Sequence, residues 1–180
     1  MIVVKKPDSF IIFVFYTFTR KALSFLYKLR WKSRYLTMID KFAYFGQNVV
    51  LDYEVLFVGE ENISVGNNVF IGQNCIINAG QGGSISIGDG TGIGAYTTII
   101  TWNLDNLNNR GLVRSENPNK IKSVFIGKGV GIGYGVTINP GVTLGDGCEI
   151  AAGSVVTRNV NPFEIVSGSP AVVIGIRKGK

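Results

Sequence analysis

A short polar run, Asn103, Asp105, Asn106, Asn108, Asn109 and Arg110, is the stretch of this 180-residue chain richest in groups that could do chemistry. It follows Trp102 and interrupts a sequence that is otherwise aliphatic on either side. Asp105 is the carboxylate of the run, so proton abstraction is the chemistry it offers. A carboxylate at its ordinary pKa of about 4 is a weak base unless it is desolvated. Histidine, which titrates nearer neutrality, is absent from the whole chain. A zinc site would therefore need Cys and carboxylates alone, and these are not clustered, so no metal is expected. Two more amides, Asn74 and Asn78, are candidate substrate contacts, with ladders of turn-stabilising Asn as the structural alternative. The nearby run AGQGGS (79–84) is glycine-rich. It lacks the Lys-Ser/Thr ending and following helix of a phosphate loop.

The elements that must position these residues follow a beat of six. From Ile126 every sixth residue is aliphatic: Ile126, Ile132, Ile138, Leu144, Ile150 and Val156. The next residue is often Gly (Gly127, Gly133, Gly145), and the fifth slot is small or β-branched (Val130, Val136, Val142, Cys148, Ser154, Val160). The same form recurs at Ile87, Ile93 and Ile99, and at Val65, Ile71 and Ile77. A strand alternates its faces with period two, so slots one and five face the same way. Three hexads then close one triangular coil, and stacked coils make a parallel β-helix with continuous apolar columns. The corners GDG (88–90), GYG (133–135) and GDG (145–147) suit positive φ. Cys75 and Cys148 both occupy fifth slots and read as core filler, not as a disulfide pair.

Charge is unevenly spread. Residues 1–45 carry nine Lys/Arg against Asp8 and Asp40, whereas the remainder carries nine against ten acidic residues. The basicity thus belongs to the N-terminal segment, which argues against a nucleic-acid-binding solenoid. That segment contains FIIFVFYTF (10–18), too short to span a bilayer and followed by no small-residue cleavage site. Phe18, Ala22, Phe25 and Leu29 recur at helical spacing with basic residues between them. A helical arm is expected over 1–45, which either meets an anionic membrane surface or packs on protein. The domain reading is an arm at 1–45, a β-helix at 46–165 with an extended loop at about 103–122, and a closing segment at 166–180.

The stretch 124–179 resembles the hexapeptide-repeat acyltransferases with a left-handed β-helix. The residues that carry the likeness are Pro140-Gly141-Val142, Leu144-Gly145-Asp146-Gly147, Ala152 to Thr157, Val166-Ser167-Gly168-Ser169-Pro170-Ala171 and Arg177. Left-handed winding, a homotrimer and use of acetyl-CoA are what the resemblance implies. It places the donor in a groove between adjacent β-helices, with Tyr134 and Ala152 along the pantetheine arm. Thr157, Arg158 and Arg177 would meet the nucleotide end, where Arg suits phosphate. The β-helix with His ligands found in γ-carbonic anhydrases is excluded, because there is no His.

In that family one His, placed where an extended loop leaves the β-helix, acts as general base, worth about 10²–10⁴-fold. The corresponding place runs from Ile99 to Asp105, and Trp102 or Asn103 stands where His is expected. Asp105, Asn103 and Trp102 are therefore the catalytic candidates. Four readings remain open. Asp105 serves as base, or a neutral sugar amine attacks without one, or the chain is an inactive trimeric scaffold, or a single His has been replaced by engineering. Gly131, where the family often has Trp, and Ser169, where it favours Asn, also depart from the pattern. The expected activity is acetyl transfer from acetyl-CoA to a sugar hydroxyl of a cell-surface polysaccharide or its lipid-linked precursor. The alternative is N-acetylation of a nucleotide-linked amino sugar. The expected location is cytoplasmic, peripheral on the inner face of the membrane.

Overall fold

The computed structural model describes residues 37–102 and 121–178. The chain divides into two compact units, Met1–Asp40 and Lys41–Lys180. Of the first unit the described part is 37–40. Thr37 and Met38 are helical, and a 3-10 turn covers Ile39–Lys41. The expected helical arm otherwise falls in 1–36, outside the described residues. Its last part is corrected: Tyr44–Phe45 is already a strand, because its backbone pairs with the rung above. Among the described residues no helix is long and apolar enough to cross a membrane.

The second unit is an all-β parallel solenoid. Coil 1 holds β1 (Tyr44–Phe45), β2 (Val50–Leu51) and β3 (Leu56–Val58). Coil 2 holds β4 (Ile63–Val65), β5 (Phe70–Ile71) and β6 (Ile76–Asn78), and coil 3 holds β7 (Ile85–Ile87), β8 (Gly92–Ile93) and β9 (Thr98–Ile100). Coil 4 is β10 (Val124–Ile126), β11 (Gly131–Ile132) and β12 (Thr137–Ile138). Coil 5 is β13 (Thr143–Leu144), β14 (Glu149–Ile150) and β15 (Val155–Val156). Every third strand joins one parallel sheet: β1-β4-β7-β10-β13 on face A, β2-β5-β8-β11-β14 on face B, and β3-β6-β9-β12-β15 on face C. Face B continues into β16 (Glu164–Gly168), which pairs in parallel with β14. An antiparallel β17 (Ala171–Ile176) closes it.

The six-residue beat builds the core. Ile71, Ile93, Ile132, Ile150 and Val166 stack on face B, and Phe57, Ile77, Ile99, Ile138 and Val156 on face C; all are buried. Burying each such side chain contributes roughly 1.5–3 kcal/mol before entropy is subtracted. The fifth slots point inward too. Where one is polar, its hydroxyl is satisfied by the next coil: Thr91 donates to the Gly127 carbonyl at 2.9 Å and Thr97 to that of Gly133 at 3.1 Å. The slot-two glycines answer a close approach between rungs. A Cβ on Gly133 would lie 2.5 Å from the Ala152 nitrogen.

Departures from 18-residue coils fall at one corner. Register partners lie 18 residues apart from Ile126 to Leu144, but 20 from Phe45 to Val65, 22 from Val65 to Ile87 and 39 from Ile87 to Ile126. Within each coil the steps from face A to B and from B to C stay at six residues. The extra residues therefore all lie between face C and the next face A, as Gly59–Asn62, as 79–84 and as 101–123. The longest contains the polar run found in the sequence.

Candidate active site

The C-to-A corner carries the base of that long excursion. Thr101, fully buried, donates from its backbone nitrogen to the Asn78 carbonyl at 3.2 Å, and its hydroxyl lies 3.3 Å from the Gly80 carbonyl. The chain returns at Lys122, whose nitrogen donates to the Thr101 carbonyl at 2.8 Å. These bonds pinch the two ends of the excursion together. Asn103 and Asp105, two of the three catalytic candidates, lie outside the described residues. Trp102 is described, and its indole Nε1 donates to Asn78 Oδ1 at 3.4 Å. The same oxygen accepts from the Gly80 nitrogen at 2.9 Å. Asn78 ends β6 on its outward side, opposite Ile100 in register.

Asn74 sits elsewhere. It occupies the B-to-C corner with φ 56°, and its backbone nitrogen donates to the Tyr53 carbonyl at 2.9 Å. The two amides paired in the sequence reading therefore mark opposite ends of β6. The amide ladder expected of early coils is found at a third corner, A to B. There Asn48 Nδ2 donates to Asn68 Oδ1, and Asp89 Oδ1 accepts from the Asn67 nitrogen at 2.8 Å.

The five expected donor-binding residues are spread over the edges of the prism. Tyr134 and Ala152 stack at the B-to-C corner, where the Gly153 nitrogen donates to the Tyr134 carbonyl, and both side chains are exposed. Tyr96, a residue that sequence reasoning missed, brings its ring to 5.1 Å from that of Tyr134. Its signal was available, since it stands where neighbouring coils place Gly135 and Gly153 at positive φ and takes φ 60° itself. Thr157 and Arg158 lie exposed at the C-to-A corner of coil 5, and Arg158 Nη2 donates to the Ala171 carbonyl at 3.3 Å. Arg177 lies at the A-to-B corner. Its Nη1 donates to the Gly129 and Gly147 carbonyls, and its Nε pairs with Glu149 at 3.1 Å. One solenoid thus does not bring the five together.

Neither thiol is placed to act as a nucleophile. Cys75 and Cys148 are fully buried, and burial raises both pKa values, that of Cys148 to about 11. A reactive thiol needs the opposite shift. Among the described residues no group of three or more Cys, Asp or Glu could hold a metal ion.

Residues 123–158 match the bacterial transferase hexapeptide (six repeats) family, and residues 62–99 match the hexapeptide repeat of succinyl-transferase. A dTDP-4-amino-4,6-dideoxy-D-glucose acyltransferase of Escherichia coli is 34% identical over 159 residues, covering 75% of this chain and 82% of that protein. Among solved structures, a hexapeptide-repeat acetyltransferase of Vibrio cholerae complexed with acetyl coenzyme A superposes with a TM-score of 0.71. Its identity is 29%, over 82% of this chain and 78% of that one. A maltose O-acetyltransferase of Clostridium difficile gives a TM-score of 0.69 at 27% identity, over 89% of this chain and 87% of that one.

Proposed function

Because this chain belongs to the hexapeptide-repeat acyltransferases, we propose that it moves an acetyl group from acetyl-CoA to a sugar. The observation that carries the reading is the likeness itself, since a sugar acyltransferase matches over most of its length and an acetyl-CoA complex shares the solenoid. The proposed assembly is a homotrimer of left-handed solenoids. The scatter of Tyr134, Ala152, Thr157, Arg158 and Arg177 over three edges supports it. A groove between copies joins one edge of one prism to a different edge of its neighbour, so it gathers residues from two of these three edges, which a single prism cannot do. Closed rings are the usual outcome of such head-to-tail packing. In the groove the acceptor attacks the thioester carbonyl, a backbone N–H of a coil steadies the oxyanion, and the CoA thiolate leaves.

The favoured acceptor is a hydroxyl of a cell-surface polysaccharide or of its lipid-linked precursor, with Asp105 as the base. The aromatic and basic segment at 1–45 supports a cytoplasmic protein held at the inner face of the membrane. A second reading, N-acylation of a nucleotide-linked amino sugar, is favoured by the Escherichia coli relative and by the lack of any His. A neutral amine placed against the thioester needs no protein base, because its surplus proton passes to the departing CoA thiolate, and placement alone supplies several kcal/mol, up to about 7–11.

Thermal unfolding with and without acetyl-CoA tests donor binding. At 100-fold over Kd the gain is about 2.7 kcal/mol, and no shift at millimolar acetyl-CoA removes the acyltransferase reading. Release of CoA thiol with hydroxyl and amine sugars then separates the two acceptors. Replacing Asp105 with Asn costs at least about tenfold in turnover if it is the base, and unchanged turnover rejects that role.

A further inference from the structure

The Asn78 amide is held by two donors on one side. Oδ1 accepts from the Gly80 nitrogen at 2.9 Å and from Trp102 Nε1 at 3.4 Å. Turning the amide over would set its NH2 against two N–H groups, so the orientation is fixed: oxygen inward, Nδ2 on the opposite edge. Among the described residues Nδ2 has no acceptor. Gly80 is packed close beneath the pair, where an added Cβ would lie 3.0 Å from Oδ1 and 3.9 Å from Trp102 Nε1. Asn78 lies between outward-facing Val58 and Ile100, so a polar edge stands in an aliphatic strip beside the long excursion.

Indole Nε1 donates only and cannot take a proton from an acceptor. At the base of the excursion this chain therefore carries a donor relay, Nε1–H to Oδ1 and then Nδ2–H outward. We propose that Asn78 donates from Nδ2 to an oxygen of the acceptor sugar, and that Trp102 is a positioning residue acting through Asn78. The proposal rests on the sugar-acyltransferase reading and deepens it by naming an acceptor contact.

The opposing view is that Asn78 only closes a local turn by accepting from Gly80. Asn78→Asp separates the two, because it keeps both accepted bonds and removes the donors. The probes are dTDP-4-amino-4,6-dideoxyglucose as the amine and maltose as the hydroxyl sugar, with acetyl-CoA as donor and CoA thiol as readout. For the probe that turns over, N78D raises the acceptor KM about tenfold or more and leaves the acetyl-CoA KM unchanged. W102F, which keeps the ring and loses the N–H, shifts the acceptor KM the same way by a smaller factor. The double variant is no worse than N78D, as expected of residues acting in series. The pH profile of kcat/KM stays fixed in W102F, since neither group titrates. An unchanged acceptor KM in N78D, additive losses, or a displaced pH profile overturns the proposal.

If neither sugar turns over, the acceptor reading and this proposal are tested apart. The side-chain amide resonance of Asn78, assigned with N78D in 15N-labelled protein, is followed as each sugar is added alone. A displacement in the wild type that W102F weakens supports the contact, and no displacement in the wild type overturns it.

Discussion

Coils 1–3 and coils 4–5 keep the same rungs but turn their corners with different residues. At the A-to-B and B-to-C corners of the earlier coils the positive-φ positions are filled by Asn48, Glu54, Asn68, Asn74, Gly90 and Tyr96; at those of the later ones by Gly129, Gly135, Gly147 and Gly153. Glycine takes this conformation freely, Asn tolerates it, and most other residues lose about 1–2 kcal/mol there. The earlier coils also carry every lengthened corner, whereas coil 4 runs at 18 residues. The later half is thus close to an ideal stack. The earlier half accepts backbone cost and irregular length, and it is there that Asn78, Trp102 and the polar run are found. The lengthened corner, not the positive-φ corners, is thus the place that holds the residues proposed to meet the acceptor.

The comparison is broken most strongly in the core. Ile99 and Ile138 face each other between coils 3 and 4, both fully buried. Truncating either to Ala should cost about 2–5 kcal/mol in urea denaturation, and a much smaller loss at Ile99 would mean that the earlier coils are not stacked continuously on the later ones.

Next comes alkaline pH. The folded Cys148 thiol titrates at about 11, above its ordinary 9.0, because it is desolvated. A raised folded pKa leaves stability intact below pH 9, and stability then falls as pH rises towards 11, where only the unfolded chain releases the proton. Cys148→Ala should flatten that slope more than Cys75→Ala, whose thiol is also raised and donates to the Gly94 carbonyl.

A smaller effect is expected at the corners. Gly135 has φ 65°, and an added Cβ meets nothing within 4 Å, so Gly135→Ala should cost only the conformational penalty of about 1–2 kcal/mol. Gly135→Asn should cost less, because it copies the earlier coils. Smallest of all, Asn74→Gly should change thermal stability by no more than about 0.5 kcal/mol. Equal losses for the two Gly135 variants would deny that Asn is the earlier coils' substitute for glycine.

Much of the stack could be read from residue spacing. Slot-one aliphatics and slot-five Val, Thr and Cys are all inward, because a fixed period forces identical positions to coincide from coil to coil. The break at 79–84 was visible too, though not its meaning. Its four added residues set Asn78 against Ile100 within face C, and that register brings Trp102 to Asn78. No period reaches Arg177. It arrives at the A-to-B corner because β17 reverses direction, and the reversal obeys no hexad. Arg158 and Arg177 read as phosphate partners by motif, yet each spends donors on backbone carbonyls of its own chain.

The reversal at β17 has a further consequence. A parallel solenoid offers its last rung as a template for another, and nothing in a six-residue period says when to stop. Laying β17 against the grain ends the parallel run of face B, while faces A and C end on β13 and β15, so a further parallel coil could not continue all three faces in register.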